Sequence, residues 1–342
     1  MPGWTRLVAY ADQTCGLYRG DAYCWGDNAN HQLGIAPAIV RAAQPTRVIL
    51  PAGTVTAIAE GANDGCAIVD GTAYCYGLLT ATTATEVATG VAQIAAGNGF
   101  LCFVAGTALS CWGSNADLGE LANGDYNPRV APTPALLVKT TALSLGDDHG
   151  CAVDDGRAMC WGHNDFGTLG VGSTMPGMSA QPLAVFGNPV ALPLIAGWHA
   201  CALTGGQVAC WGEGDHGELG DGMMTSANAP VAIASLSNVT ALAVGGGPAD
   251  LDASCAVANG VASCWGAGKF GRLGQGTASN SGVPVEVAGL PAAARELAIG
   301  YDHACALLVT DEVWCWGKGG SGQLGDGRML DSLQPVRAVT PM

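Results

Sequence analysis

The sequence predicts an all-β fold, a seven-bladed β-propeller with one cross-strand disulfide inside each blade. Three observations carry that reading. Fourteen cysteines fall into seven close pairs, each pair brackets a turn signal, and successive closing cysteines stand 51, 36, 49, 50, 54 and 51 residues apart. A period near fifty with about four short strands per unit is that of propeller blades, and closing the ring removes exposed sheet edges.

The segment Cys66–Cys75 shows the unit most clearly. Asp70-Gly71 between two apolar arms is a two-residue hairpin signal of type I′. Counting outward from that turn places Val69 opposite Thr72, Ala67 opposite Tyr74 and Cys66 opposite Cys75. The cysteines then occupy a non-hydrogen-bonded pair, with Cα atoms roughly 4.5 Å apart, a separation that a disulfide spans. The same register pairs Cys15 with Cys24, Cys102 with Cys111, Cys151 with Cys160, Cys201 with Cys210, Cys255 with Cys264, and Cys305 with Cys315. The last pair holds one extra residue, which predicts a loop at Val309-Thr310-Asp311. By loop entropy each staple contributes roughly 2–3 kcal/mol.

Each unit has four parts. A short apolar strand opens it, as in Val55–Ala59, Val91–Ala95, Thr240–Val244 and Leu297–Ile299. The stapled hairpin supplies the second and third strands and ends in Trp-Gly, or Tyr76-Gly77 in the second unit. A long connection comes next, best seen at Gly317–Gly327, and leads to a fourth strand expected to begin at proline, as at Pro45, Pro230, Pro284 and Pro335. These units divide the chain at about 5–50, 54–89, 90–138, 139–186, 190–234, 238–288 and 294–340, all within one domain spanning 1–342. For ring closure we expect the final strand, Pro335–Val339, to complete the first blade.

The pattern Gly300-Tyr-Asp-His-Ala-Cys-Ala-Leu307, Cys315-Trp-Gly317, Ser321-Gly-Gln-Leu-Gly-Asp-Gly327 and Cys160-Trp-Gly-His-Asn164 resembles the repeats of the regulator of chromosome condensation family. The resemblance runs from Arg6 to Val339 and implies a seven-bladed propeller. It says little about activity, because the family's members include exchange factors, ligase-associated domains and secreted enzyme inhibitors. Among these the architecture is similar to that of propeller-type β-lactamase inhibitors.

Composition narrows the function. The net charge of −15 disfavours nucleic acid and anionic lipid and suits a basic or neutral protein partner. Fully paired cysteines point to the periplasm, the cell surface or the extracellular space. No apolar run is long enough to span a membrane. No leader precedes the first repeat, so Met1 reads as a start placed on a mature domain. The chain is expected to act as a monomer.

Most conspicuous residues read as framework. His149, His199 and His303 recur two positions before a cysteine, where a structural hydrogen bond is the expected role. The six Trp-Gly tryptophans recur at one blade position and read as packing. No zinc, haem, nucleophile-elbow or phosphate-loop spacing occurs, and no cofactor is expected. Calcium at Asp147-Asp148 or Asp154-Asp155 lacks the alternating ligand spacing of a dedicated loop.

What varies from copy to copy lies on one face. Strand parity puts the connections after strands one and three on the same face and the stapled turns on the other. The variable face is expected to bind through Tyr10, Asp12, Asp64, Phe100, Asp147, Asp148, Trp198, Asp250, Asp252, Tyr301 and Asp302. A shortened connection at Gly77–Glu86 and an insertion at Gly246–Asp252 suggest a notch beside a lip, able to admit a partner's loop.

The function expected is therefore a secreted or cell-surface protein-binding module using the loop face and central mouth, and not an enzyme. One alternative is an extracellular enzyme acting on polysaccharide or peptide with carboxylates such as Asp147, Asp148, Asp252 and Asp302. A structural tile of a surface assembly is another. Alkylation of the native domain without reductant, read by mass spectrometry, should leave all 14 cysteines unmodified; free thiols would sink the pairing.

Overall fold

The computed structural model describes residues 3–115, 118–187, 193–195, 197–247 and 252–341. Seven four-stranded antiparallel sheets succeed one another along the chain. They run Trp4–Arg47, Val55–Thr89, Val91–Pro134, Thr140–Ala184, Pro193–Ala232, Val239–Glu286 and Ala294–Arg337; we number them blades 1 to 7. In every blade the strands pair in sequence order, and the first strand lines the central channel. The channel holds a cavity of about 260 Å³. The one helical turn among the described residues is Lys269–Gly271, and no helix is long and apolar enough to cross a membrane.

The hairpin register holds in all seven blades. Each cysteine faces its partner directly, with Cα atoms 4.0–4.1 Å apart, and all seven disulfides form. In blade 2, Asp70 and Gly71 adopt φ of 47° and 80°, the left-handed pair of a type I′ turn. In blade 7, Leu308 N–H donates to Glu312 O across the three-residue loop, and Asp311 takes φ 61°.

Two expectations are corrected. The fourth strand begins three or four residues before its proline, at Arg41, Ala227, Ser281 and Ser332, and the register shifts between the two. Proline has no N–H for the ladder, so it falls just past the irregularity, beside Thr46, Val231, Val285 or Val336, which face the closing cysteine. The final strand, Ser332–Arg337, pairs within blade 7 and does not complete blade 1. Closure comes instead from hydrogen bonds between the two blades, the backbone bond from Tyr301 N–H to Ala11 O at 2.9 Å among them. Trp25 Nε1 donates to Gln323 O at 2.8 Å, and Thr14 Oγ1 donates to the same oxygen at 3.0 Å. That leaves Thr14 Oγ1 to accept from His303 Nε2, 2.7 Å away. At the rim the Arg295 guanidinium donates to Trp4 O at 2.6 Å.

The Trp25 contact is one instance of a repeated link. Trp161, Trp211, Trp265 and Trp316 donate their indole N–H to Glu120 O, Thr168 O, Glu218 O and Arg272 O of the preceding blade at 2.7–2.9 Å. The acceptor is followed by a fully buried leucine and then by a residue at positive φ packed under the indole. A Cβ on Gly170 would lie 2.6 Å from Trp211 Nε1, so glycine is demanded there by space and φ together. Trp112 is the exception: among the described residues its indole has no acceptor, and its ring packs edge-on against Phe103 at 6.0 Å. Trp161→Phe should therefore lower stability by about 1–2 kcal/mol more than Trp112→Phe, because only the former leaves a buried carbonyl unpaired. Denaturant titration of the two oxidised variants checks the difference.

Candidate functional site

Seven backbone hydrogen bonds tie the variable face into a platform. The residue after each Trp-Gly or Tyr-Gly donates its N–H to the carbonyl of Asp12, Asn63, Gly99, Asp148, Trp198, Asp252 or Asp302 at 2.7–3.0 Å. Backbone positions there are fixed by the repeat, so side-chain identity alone varies.

At the centre of that face Tyr10 of blade 1 and Tyr301 of blade 7 reach Asp147 of blade 4. Tyr10 Oη donates to Asp147 Oδ1, Tyr301 Oη lies 3.5 Å from the same oxygen, and the two rings sit 5.7 Å apart. Strands nearly opposite in the ring thus meet over the channel, and Asp147 is left only 3% exposed. Burial raises its pKa to about 7, against the two tyrosine hydroxyls, which lower it. Asp252 and Asp148 add repulsion in the same upward direction. The neighbouring Asp148 is half-buried, and burial raises its pKa, with His163 the charge that opposes the shift. Among the described residues no donor bonds the Asp148 carboxylate directly.

Other expected residues fall into separate groups. Lys318 Nζ bridges Asp12 at 3.1 Å and Asp302 at 3.4 Å across the junction of blades 7 and 1. Trp198 is half-buried, with its ring edge-on to His163 at 4.8 Å and to Phe166 at 5.5 Å. Its backbone N–H donates to Asp252 Oδ2 at 2.7 Å, and His199 Nδ1 donates to that oxygen at 2.9 Å. Asp252 is fully buried, so it orders the loop instead of facing a partner.

Several placements differ from the expectation. Phe100 is completely buried, packed on Gly97, because blade 3 puts a ring where blades 4, 5 and 7 have histidine. Asp64 is buried and accepts from Leu79 N–H at 2.6 Å, and burial raises its pKa to about 6. Asp250 lies outside the described residues. The shortened connection belongs to blade 2 and the insertion to blade 6, which are not neighbours, so notch and lip do not adjoin. The four carboxylates named for an enzyme divide among tyrosines, a histidine and a lysine, and Asp148 lacks a direct partner among the described residues. Among the described residues the one group of three ligand-type atoms is Cys15, Cys24 and Glu60, where two are disulfide sulfurs and offer no thiolate.

Two of the three recurrent histidines make the structural hydrogen bond expected of them, and they make it across blade junctions. His303 meets Thr14, and His199 Nε2 meets Ser254 Oγ at 2.7 Å. Both are the residue before the first cysteine of the next blade. His149 faces Ala200 at that position and finds no partner among the described residues; burial lowers its pKa to about 3. Sequence reading passed over Lys318 and Arg272. Arg272 is fully buried and donates to Ala267 O and Tyr301 O, so it seats the loop that carries Tyr301. The available signal was charge at connection positions that are neutral or acidic in other copies.

A carboxyl whose pKa is raised in the folded state favours folding when protonated, so its contribution is lost as pH rises. For Asp147 the window runs from about 4 to about 7. Asp147→Asn keeps an acceptor for the tyrosines and removes the titration. It should gain on the order of 1–3 kcal/mol over the parent between pH 4 and pH 8, measured by unfolding at each pH. A constant difference across that range would refute the shift.

Residues 19–68 and 260–307 match the family model for the regulator of chromosome condensation repeat, and residues 295–323 match a second model of that repeat. The chain is 34% identical to the ultraviolet-B receptor UVR8 of Arabidopsis thaliana over 356 aligned residues, covering 96% of this chain and 80% of the relative. Among solved structures it is similar to Prp20p of Saccharomyces cerevisiae, with a TM-score of 0.82 at 16% identity, over 99% of this chain and 88% of that one. Human WBSCR16 gives a TM-score of 0.79 at 19% identity, over 93% and 94% of the two chains. At these identities the structural likeness speaks to fold alone.

Proposed function

Because the chain belongs to the regulator of chromosome condensation repeat family, whose repeats specify a blade and leave its loops free, we propose that it is a protein-binding module. The binding element is the central mouth of the loop face, and the partner presents a basic side chain there. The observation that carries this reading is the arrangement at the mouth. Asp148 has no direct partner among the described residues, beside an Asp147 held by two tyrosines whose rings form an aromatic wall. A lysine or arginine entering between them would relieve two carboxylates that burial disfavours as anions, and would lie against aromatic faces. Trp198, on the same face, adds a rigid amphipathic contact of the kind enriched in hot spots.

The charge of −15 steers basic partners toward the ring. Seven disulfides suit an oxidising environment, and we place the protein at the cell surface or outside it.

The test compares the oxidised parent with an Asp148→Asn, Trp198→Ala, Tyr301→Ala variant as immobilised bait for extracellular proteins. The parent should retain a partner that the variant loses, and rising salt should weaken the retention. Equal retention by both would place the binding surface elsewhere.

A further inference from the structure

At five blade junctions the long connection of one blade reaches over the next and makes the same pair of contacts. One carbonyl accepts the tryptophan N–H. Three residues after the leucine next to that carbonyl, a glycine N–H donates to the fourth strand of the receiving blade. These donors are Gly124, Gly172, Gly222, Gly276 and Gly327, bonded at 2.8–3.2 Å to Ala180 O, Asn228 O, Gly282 O, Leu333 O and Ala43 O.

Among the described residues nothing comparable passes from blade 2 to blade 3. The connection at residues 78–84 turns back on its own blade. Gly77 N–H donates to Ala81 O at 2.8 Å, Leu78 N–H to Asn63 O at 3.0 Å and Leu79 N–H to Asp64 at 2.6 Å. The receiving groups nevertheless remain on blade 3. Trp112 keeps an indole N–H with no acceptor among the described residues. Val130 stands one residue past the partner of Gly113, the position of Ala43 or Ala180 in other blades. At that position in occupied junctions Ala180 and Gly282 are buried while Asn228 and Leu333 are exposed; Val130 is 101% exposed, and Leu78, on the connection that turns back, is 69% exposed. Beneath them Leu101 and Phe103 are buried where other blades have smaller residues, so side chains fill the depth of the junction while the Trp112 N–H and the Val130 carbonyl stay unmatched among the described residues.

We propose that this junction is a docking site for a loop of a partner protein. The loop is a glycine-flanked turn that offers a carbonyl to Trp112, an N–H to the Val130 carbonyl and an aliphatic side chain to Leu78 and Val130. The five occupied junctions show the chemistry of the piece that fits. A second copy of this chain is a poor donor, because those five connections are engaged on their own neighbours and both copies carry −15. The inference rests on the protein-binding reading but uses a part of the face distinct from the mouth.

A suitable probe is a head-to-tail cyclic peptide of residues 317–332, whose ends are paired neighbours in blade 7. Cyclisation limits the ordering entropy that would mask binding of a linear glycine-rich chain. Titrated into the ¹⁵N-labelled oxidised domain, it should shift the Trp112 indole N–H signal saturably and downfield. Val130→Asp, a change at a fully exposed side chain, should weaken binding at least about tenfold, and a peptide carrying Asp in place of Leu324 should not bind. The Asp148→Asn, Trp198→Ala, Tyr301→Ala variant should bind the peptide as the parent does, which separates this inference from the mouth proposal. Replacing residues 78–84 with residues 318–331 should occupy the junction and abolish peptide binding; where that graft does not fold, Val130→Asp carries the test. Absence of a saturable shift, or equal binding by Val130→Asp, overturns the proposal.

Discussion

At five of the seven junctions the ring is held together by an indole N–H handed from one blade to a backbone carbonyl of the blade before it. Among the described residues no strand crosses from the last blade to the first, so closure rests on contacts between blades. Trp25 to Gln323 and the backbone bonds from Tyr301 to Ala11 and from Gly327 to Ala43 are among those that join the two ends of the chain. The indole bond sits in a dry junction, where losing one partner leaves a buried polar group unpaired. Its geometry fixes the sequence around it: a disulfide to hold the strand that carries the tryptophan, glycine after it, and a buried leucine and a positive-φ residue on the donor loop. Ala122 occupies that last slot in blade 3 at φ 53°, so the conformation persists even where glycine is absent.

That dependence explains where the molecule is free to vary. Each connection has its backbone committed twice, once to its own blade through the residue after Trp-Gly and, at five junctions, once to the next blade. Side chains on the platform are not committed in this way. Tyr10, Asp147 and Tyr301 can therefore converge from blades 1, 4 and 7 although they are far apart in the chain. The arrangement is rigid because blades set the distances, and polar because the mouth gathers carboxylates with few cations. Lys318 serves Asp12 and Asp302, while Arg272 is spent on backbone carbonyls. Among the described residues Asp147 and Asp148 have no such neighbour bonded to them.

Blade 2 shows the consequence of one unit departing from the template. Its shortened connection leaves Trp112 without an acceptor among the described residues, and blade 3 fills the depth with Leu101 and Phe103. The core is repaired by these side chains, but the outer hydrogen-bonding positions are not replaced. Similar drift moved Phe100 and Asp64 inward. Both sit at the position held by histidine in three other blades, and that position faces a blade junction, so a variable residue there is an adjustment of packing. Variation between copies was thus a sound guide to the mouth and a poor one at junctions, because one sequence cannot say which copies pack against each other.

By itself the sequence determined the local structure. Turn dipeptides and cysteine spacing fix hairpin register to the residue, since a slip by one would turn every side chain to the opposite face and separate the sulfurs. Counting those hairpins gave seven blades, and strand parity gave the two faces. Tertiary structure alone decided the rest. Whether the last strand joins blade 1 or blade 7 depends on which edge it meets, and either choice satisfies the same local pattern. That Tyr10 and Tyr301 share Asp147, that Lys318 bridges two aspartates, and that His149 has Ala200 where His303 has Thr14 are all consequences of ring geometry, which brings together residues separated by most of the chain.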